Sequence, residues 1–141
     1  MARRKIQVLH FLVCPRITVT TAGPENPYTL HDVNYRFDFA PDREFPLVEP
    51  ELWIYARFFN GRGRANFVVR VFWLDGPNGE EETAMYALPP LLFPGPEAVV
   101  NRAWKLAYVR FPGLGRYSFG LAWGMRTRIL VGDTIDLRQM P

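Results

Sequence analysis

The chain has 141 residues, 48% of them hydrophobic and 22% charged, proportions that let one domain bury a core without disulfides or a metal and that exclude wholesale disorder. Seventeen basic residues against 14 acidic ones leave a net charge of only +3, so charge alone does not mark a nucleic-acid binder. The sequence holds no run of 18 apolar residues, so no membrane-spanning helix and no membrane insertion are expected.

Aromatic residues make up 15% of the chain, beside 13 Pro and 11 Gly, which favours many short strands separated by turns. Residues 1–5, "MARRK", read as a basic tail. The apolar run behind it is broken by Gln7 and His10 and ends in Pro15-Arg16 where a secretory cleavage site would need small residues. A cytoplasmic location is therefore expected, and the lone Cys14 agrees with it.

"KIQVLHFLV" and "RITVT" read as two strands parted at Cys14-Pro15, because proline cannot donate to a ladder. After the loop "TAGPENP", Val33, Tyr35, Phe37 and Phe39 alternate with Asp32, Asn34, Arg36 and Asp38, the pattern of a half-buried strand. "APDREFPLVEPE" reads as a proline-punctuated loop. "LWIYARFF" and "NFVVRVFWL" read as a hairpin or as neighbouring strands joined by "NGRGRA", with Asn60-Gly61 supplying left-handed conformations. "DGPNGEEE" is a turn, "TAMYAL" a strand, and "PPLLFPGPEA" a crossing loop too rich in proline for either regular element. "VVNRAWKLAYVRF", "GRYSFGLAW" and "TRILVGDTIDL" complete about nine strands at turn spacings typical of sandwiches and barrels. The expected fold is all-β: one antiparallel β-sandwich domain over residues 1–141, immunoglobulin-like or related.

The glycines of "FPGLGRYSFGLAW" raise the question of a phosphate-binding loop. A dinucleotide fingerprint needs a third glycine and a following helix, but Ser118 stands at the third glycine position. Tyr117, Phe119, Leu121 and Trp123 then alternate with small residues, which is strand periodicity. Gly115 and Tyr117 instead fit a tyrosine corner, whose hydroxyl bonds backbone a few residues upstream. The small row Ser118, Gly120, Ala122 and Gly124 would form a flat strip open to close approach.

The order "FLVC", "LHDVNYRF", "LWIYARF", "FVVRVFWLDGPNG" and "FPGLGRYSFGLAW" resembles a family of small uncharacterised bacterial β-sandwich domains with a Pro-x-x-Gly-x-Tyr approach to a late strand. That resemblance implies the sandwich fold and no catalytic residue, since the family has no established activity. The chain departs from it at Pro15, where an acidic residue would follow the cysteine.

Chemistry-bearing residues are sparse. His10, His31 and Cys14 are the only soft metal ligands, and their spacing predicts no metal and no cofactor. Cys14 with His10 or His31 would be the nucleophile of a small hydrolase, but an apolar run is where inert buried cysteines sit. Asp133 with Asp136, and Glu80 to Glu82, read as turn and surface carboxylates. No enzyme is expected.

The strand faces say more. If Leu52, Ile54, Ala56 and Phe58 face the core, Trp53, Tyr55, Arg57 and Phe59 face away; Arg70 and Phe72 stand similarly opposite Val69 and Val71. Trp53, Tyr55, Arg57, Arg70 and Phe72 therefore define the leading expectation: a non-catalytic interaction or assembly module docking a protein partner or a second copy through an aromatic and arginine face. The alternative is a nucleic-acid-binding accessory domain using Arg62 and Arg64 of the basic turn with Arg3, Arg4 and Lys5, and aromatics as base-stacking platforms.

Overall fold

A computed structural model describes residues 6–19, 28–31, 36–39, 44–95, 97–124 and 128–139. The chain is all-β, with no helix among these residues. Twelve strands replace the nine expected: β1 (Gln7–Cys14), β2 (Arg16–Val19), β3 (Tyr28–His31), β4 (Arg36–Phe39), β5 (Leu47–Phe59), β6 (Gly63–Ala65), β7 (Phe67–Trp73), β8 (Glu81–Ala87), β9 (Leu91–Phe93), β10 (Val100–Phe111), β11 (Gly115–Trp123) and β12 (Ile129–Gln139). Residues 1–5, with Arg3, Arg4 and Lys5, lie outside the described residues, as do 32–35 of the alternating strand and the 21–27 loop.

Two sheets form the sandwich, one ordered β1-β5-β10 and the other β4-β12-β11-β7-β8. Among the described residues the pairings are antiparallel except β4 with β12, which is parallel. Alternation explains the packing. Phe11 and Val13 of β1, Leu52, Ile54, Ala56 and Phe58 of β5, and Trp104 and Leu106 of β10 point inward, against Phe67, Val69 and Val71 of β7 and Tyr117, Phe119 and Leu121 of β11, in one buried cluster. Phe58 stacks on Phe67 at 5.0 Å between centroids, and Phe111 meets Tyr117 edge-on at 4.9 Å. These contacts fix which strand ends coincide: β5 ends, β10 begins, β7 begins and β11 ends at one pole of the sandwich.

The expected hairpin between "LWIYARFF" and "NFVVRVFWL" is corrected. β5 and β7 lie in different sheets, because the apolar rows of both must face each other across the core. Their connection carries positive φ at Asn60 (62°) and Gly63 (62°), not at Gly61. Gly61 is needed for another reason: a Cβ there would lie 2.2 Å from the Phe93 ring.

Two proline-rich segments expected to be loops contain strands. β5 begins at Leu47, inside "PLVEPE", and Leu91–Phe93 pairs with Gly63–Ala65 as a short ribbon. Edge and terminal positions accept proline because no central ladder bond is lost there. On β5 the core faces of Leu52 and Leu47 differ in parity, and those of Leu106 and Val109 on the paired β10 differ likewise. Both strands thus reverse their faces together, at Tyr108 with φ 57°, opposite Pro50, which has no N–H to offer.

The ribbon β2–β3 folds over the outer side of the three-stranded sheet. Ile17 packs there with Cys14 and Tyr55, flanked by Leu12, Tyr28, Leu30, Trp53 and Ala103, in a second apolar cluster separate from the main core. Asp133 of β12 ties the sheets at their edge by accepting the Val13 N–H of β1 at 2.9 Å.

Candidate functional site

The five residues expected to form one docking face fall on two sheets. Trp53, Tyr55 and Arg57 belong to β5 and turn away from the core on the three-stranded sheet; Arg70 and Phe72 belong to β7 in the other sheet. Because the two sheets pack by their inner sides, these outer sides look in opposite directions, and no single surface unites the five. Tyr55 is only 5% exposed, lies edge-on to Tyr28 at 6.0 Å, and its hydroxyl donates to Asn101 Oδ1 at 2.9 Å. Trp53 packs at the margin of the same cluster and its Nε1 donates to Glu51 at 2.7 Å. On the outer row of β5, Tyr55 and Trp53 are thus packed within the monomer against β2–β3.

Arg70 is engaged on the other sheet. It forks onto Glu82 of the neighbouring strand, Nε to Oε1 at 2.9 Å and Nη2 to Oε2 at 2.6 Å, while its guanidinium lies 5.3 Å from the Phe72 ring centroid. The hydrogen bond from Arg70 holds the Glu82 carboxyl below its ordinary range. Beside this pair, across the strand from Arg70, Met85 is 52% exposed. The flat strip is filled in part: the Ile129 side chain lies over Gly120, where an added Cβ would meet it at 2.9 Å.

Cys14 has neither exposure nor activation. It is fully buried, its thiol faces the Arg16 carbonyl oxygen at 3.6 Å, and burial pushes its pKa up to about 11. A thiolate is the reactive species, so this environment opposes nucleophilic chemistry. His31 is committed elsewhere. Arg16 can only donate, so Nδ1 accepts at 3.3 Å, and in the neutral ring Nε2–H then donates to Thr18 Oγ1 at 2.6 Å. Among the described residues no three His, Cys, Asp or Glu gather as metal ligands.

The glycine loop is a packed turn. Tyr117 is fully buried; its hydroxyl donates to the Gly113 carbonyl at 2.5 Å and accepts from the Gly113 N–H at 3.1 Å, as a tyrosine corner requires. Its ring lies nearly parallel to Trp73, 6.0 Å away, and Trp73 Nε1 donates to the Leu114 carbonyl at 3.0 Å. The anion that meets this loop is the protein's own. Asp75 accepts the Arg116 N–H at 2.8 Å and both Nε and Nη2 of its guanidinium, at 3.1 and 2.9 Å. Those bonds from Arg116 hold the Asp75 carboxyl down at about 2. Gly115, at φ +124°, leaves room for Asp75, which would lie 2.8 Å from an added Cβ. A phosphate would have to displace this carboxylate.

What the fold does assemble is a basic pole. Arg62 and Arg64 are exposed on the crossing between the sheets. Arg102 is exposed near the start of β10 and Arg128 just before β12, and antiparallel pairing carries both to the end where β5 finishes. Arg57, opposite His10 and Asn101, stands near this end with its Nε enclosed and without a hydrogen-bond partner. Gln7 pairs with Phe59, so β1 begins at the same pole. Among the described residues the acid at this end is Glu97. The sequence places Arg62 and Arg64 together in a turn; Arg102 and Arg128 carry no local signal, since only strand direction brings them there. Among the described residues the most exposed aromatics, Phe45 and Tyr108, lie toward the opposite end, while Phe59 and Trp123 at this pole are only partly exposed.

No protein-family model matches the chain, and a search of curated proteins found no match.

Proposed function

We propose that this protein is a non-catalytic binding module whose basic pole engages the phosphate backbone of a nucleic acid. The observation that carries the reading is the convergence of Arg62, Arg64, Arg102 and Arg128 from separate segments on one end of the sandwich, with Glu97 as the acid there. Guanidinium groups suit phosphate because their planar fork donates two parallel hydrogen bonds. Neutralised phosphates release counterions, so binding of this kind weakens steeply with salt.

The test is fluorescence anisotropy with a labelled duplex of about 20 base pairs, roughly two helical turns, as a function of salt, for the intact chain and for Arg62→Ala/Arg64→Ala. Expected are salt-sensitive binding by the parent protein and a weaker, shallower salt dependence in the variant, by about 0.9 in log–log slope for each phosphate no longer neutralised. Binding that is absent at low salt, or indifferent to the double substitution, refutes the reading.

A second reading keeps protein docking, on the outer side of the five-stranded sheet. Exposed Met85 beside the Arg70–Phe72 pair favours it, since methionine and arginine adapt well to interfaces. Solution mass measured for the parent chain and Met85→Lys tests it; an unchanged monomer mass in both removes self-association.

A further inference from the structure

The β6–β9 ribbon is unlike the rest of the basic pole. Its inward residues are firmly seated: Ala65 and Leu91 pair and are buried, and Phe93, buried opposite Gly63, fills the space that Gly61 leaves open. Its outward pair is Arg64 and Leu92, directly opposite each other in register. Leu92 is 69% exposed, the most exposed large aliphatic residue of those described. It is held between Pro89-Pro90 and Pro94, whose fixed φ angles restrict the backbone on either side. A rigid ribbon thus presents one apolar side chain and one guanidinium side by side, with Arg62 two residues along the same segment.

That combination has a specific fit. The minor groove of B-form DNA attracts arginine through its negative potential, and apolar side chains inserted at a base step partly unstack it and bend the duplex. Backbone contact alone gives no use for an exposed leucine, whereas a groove wall of sugars and base edges removes it from water. A single-stranded ligand would need open stacking platforms, and among the described residues the aromatics at this pole, Phe59 and Trp123, are only partly exposed, the most exposed ones lying at the other end. Resting on the phosphate-backbone reading above, we infer that the β6–β9 ribbon enters the minor groove of duplex DNA, with Arg64 and Arg62 in the groove and Leu92 against the base step.

The experiment uses the full chain and the same labelled duplex, carrying an A·T-rich centre, with netropsin as a minor-groove competitor and methyl green as a major-groove one. Expected are displacement by netropsin and not by methyl green, and affinity about tenfold weaker for Leu92→Ala with an unchanged salt slope. Leu92 is exposed, so the same variant should keep its melting temperature, which separates a weakened groove interaction from an unfolded chain. Salt-sensitive binding that netropsin leaves intact, or that Leu92→Ala does not weaken, overturns the groove assignment while leaving the basic-pole reading standing. Equal or tighter binding to single strands overturns it as well, and a duplex that is not bound at all overturns both.

Discussion

Replacing Tyr117 by phenylalanine removes one oxygen atom and tests what closes this sandwich. The hydroxyl makes two bonds to the same residue, donating to the Gly113 carbonyl and accepting from its N–H, inside a fully buried site. A net contribution of about 0.5–1.5 kcal/mol per bond gives a loss of about 1–3 kcal/mol. The ring contacts with Trp73 and Phe111 survive, so no large cavity term is added. Tyr117→Ala, which removes them too, should lose about 3–5 kcal/mol. Urea denaturation followed by tryptophan fluorescence measures both, and the parent and Phe variant should share one m-value because the same surface is exposed on unfolding. In a thermal scan the Phe variant should melt lower by about 4 °C for each kcal/mol lost, for a chain of this size. A Tyr117→Phe protein within about 0.5 kcal/mol of the parent, inside the usual range of neutral surface changes, would refute the claim that the corner stabilises the fold.

Two further outcomes follow from ionisable groups. Cys14, buried with its pKa pushed up to about 11, should resist iodoacetamide in the native protein at about pH 8, where about one thiol in a thousand is ionised, and label fully in urea; rapid native labelling would contradict its placement. Asp75 has a folded pKa of about 2 against 3.8 as a free group, so it contributes stability that is fully present above 3.8 and is lost as pH falls through about 2. Asp75→Asn should therefore lower the melting temperature at neutral pH and converge with the parent in strong acid. Asp133 opposes this trend, because burial raises its pKa and its ionised form is the disfavoured one; in an Asp75→Asn background Asp133→Asn isolates its contribution.

Particular residues show how far the sequence reaches. Alternation named the buried rows of β5, β7 and β11 correctly, because a period of two is a local property of extended chain. The bond of the Tyr117 hydroxyl to upstream backbone was also legible, since Gly113 lies four residues away. The docking face was not. Trp53, Tyr55 and Arg57 share a strand with one another and Arg70 and Phe72 share another, but whether two strands join one sheet or face each other across a core depends on partners distant in the chain. Tyr55 reads as available for docking until the β2–β3 ribbon is seen to cover it. Asp75 reads as an ordinary turn residue in "LDGPNG", and its bond to Arg116, 41 positions away, has no local signature.

By itself, then, the sequence determined an all-β chain, the inward rows of β5 from Leu52 to Phe58, of β7 and of β11, and a turn rather than a phosphate loop at Gly113–Gly115. Each is set by interactions within a few residues. Only the tertiary structure decided that β5 and β7 lie in opposite sheets, that Trp53 and Tyr55 of the outer row of β5 pack against the chain's own ribbon, and that arginines from separate segments meet at one pole. The reason is physical: burying apolar rows against each other dictates which strands must face, and the positions of their ends, with the charges they carry, follow from that packing.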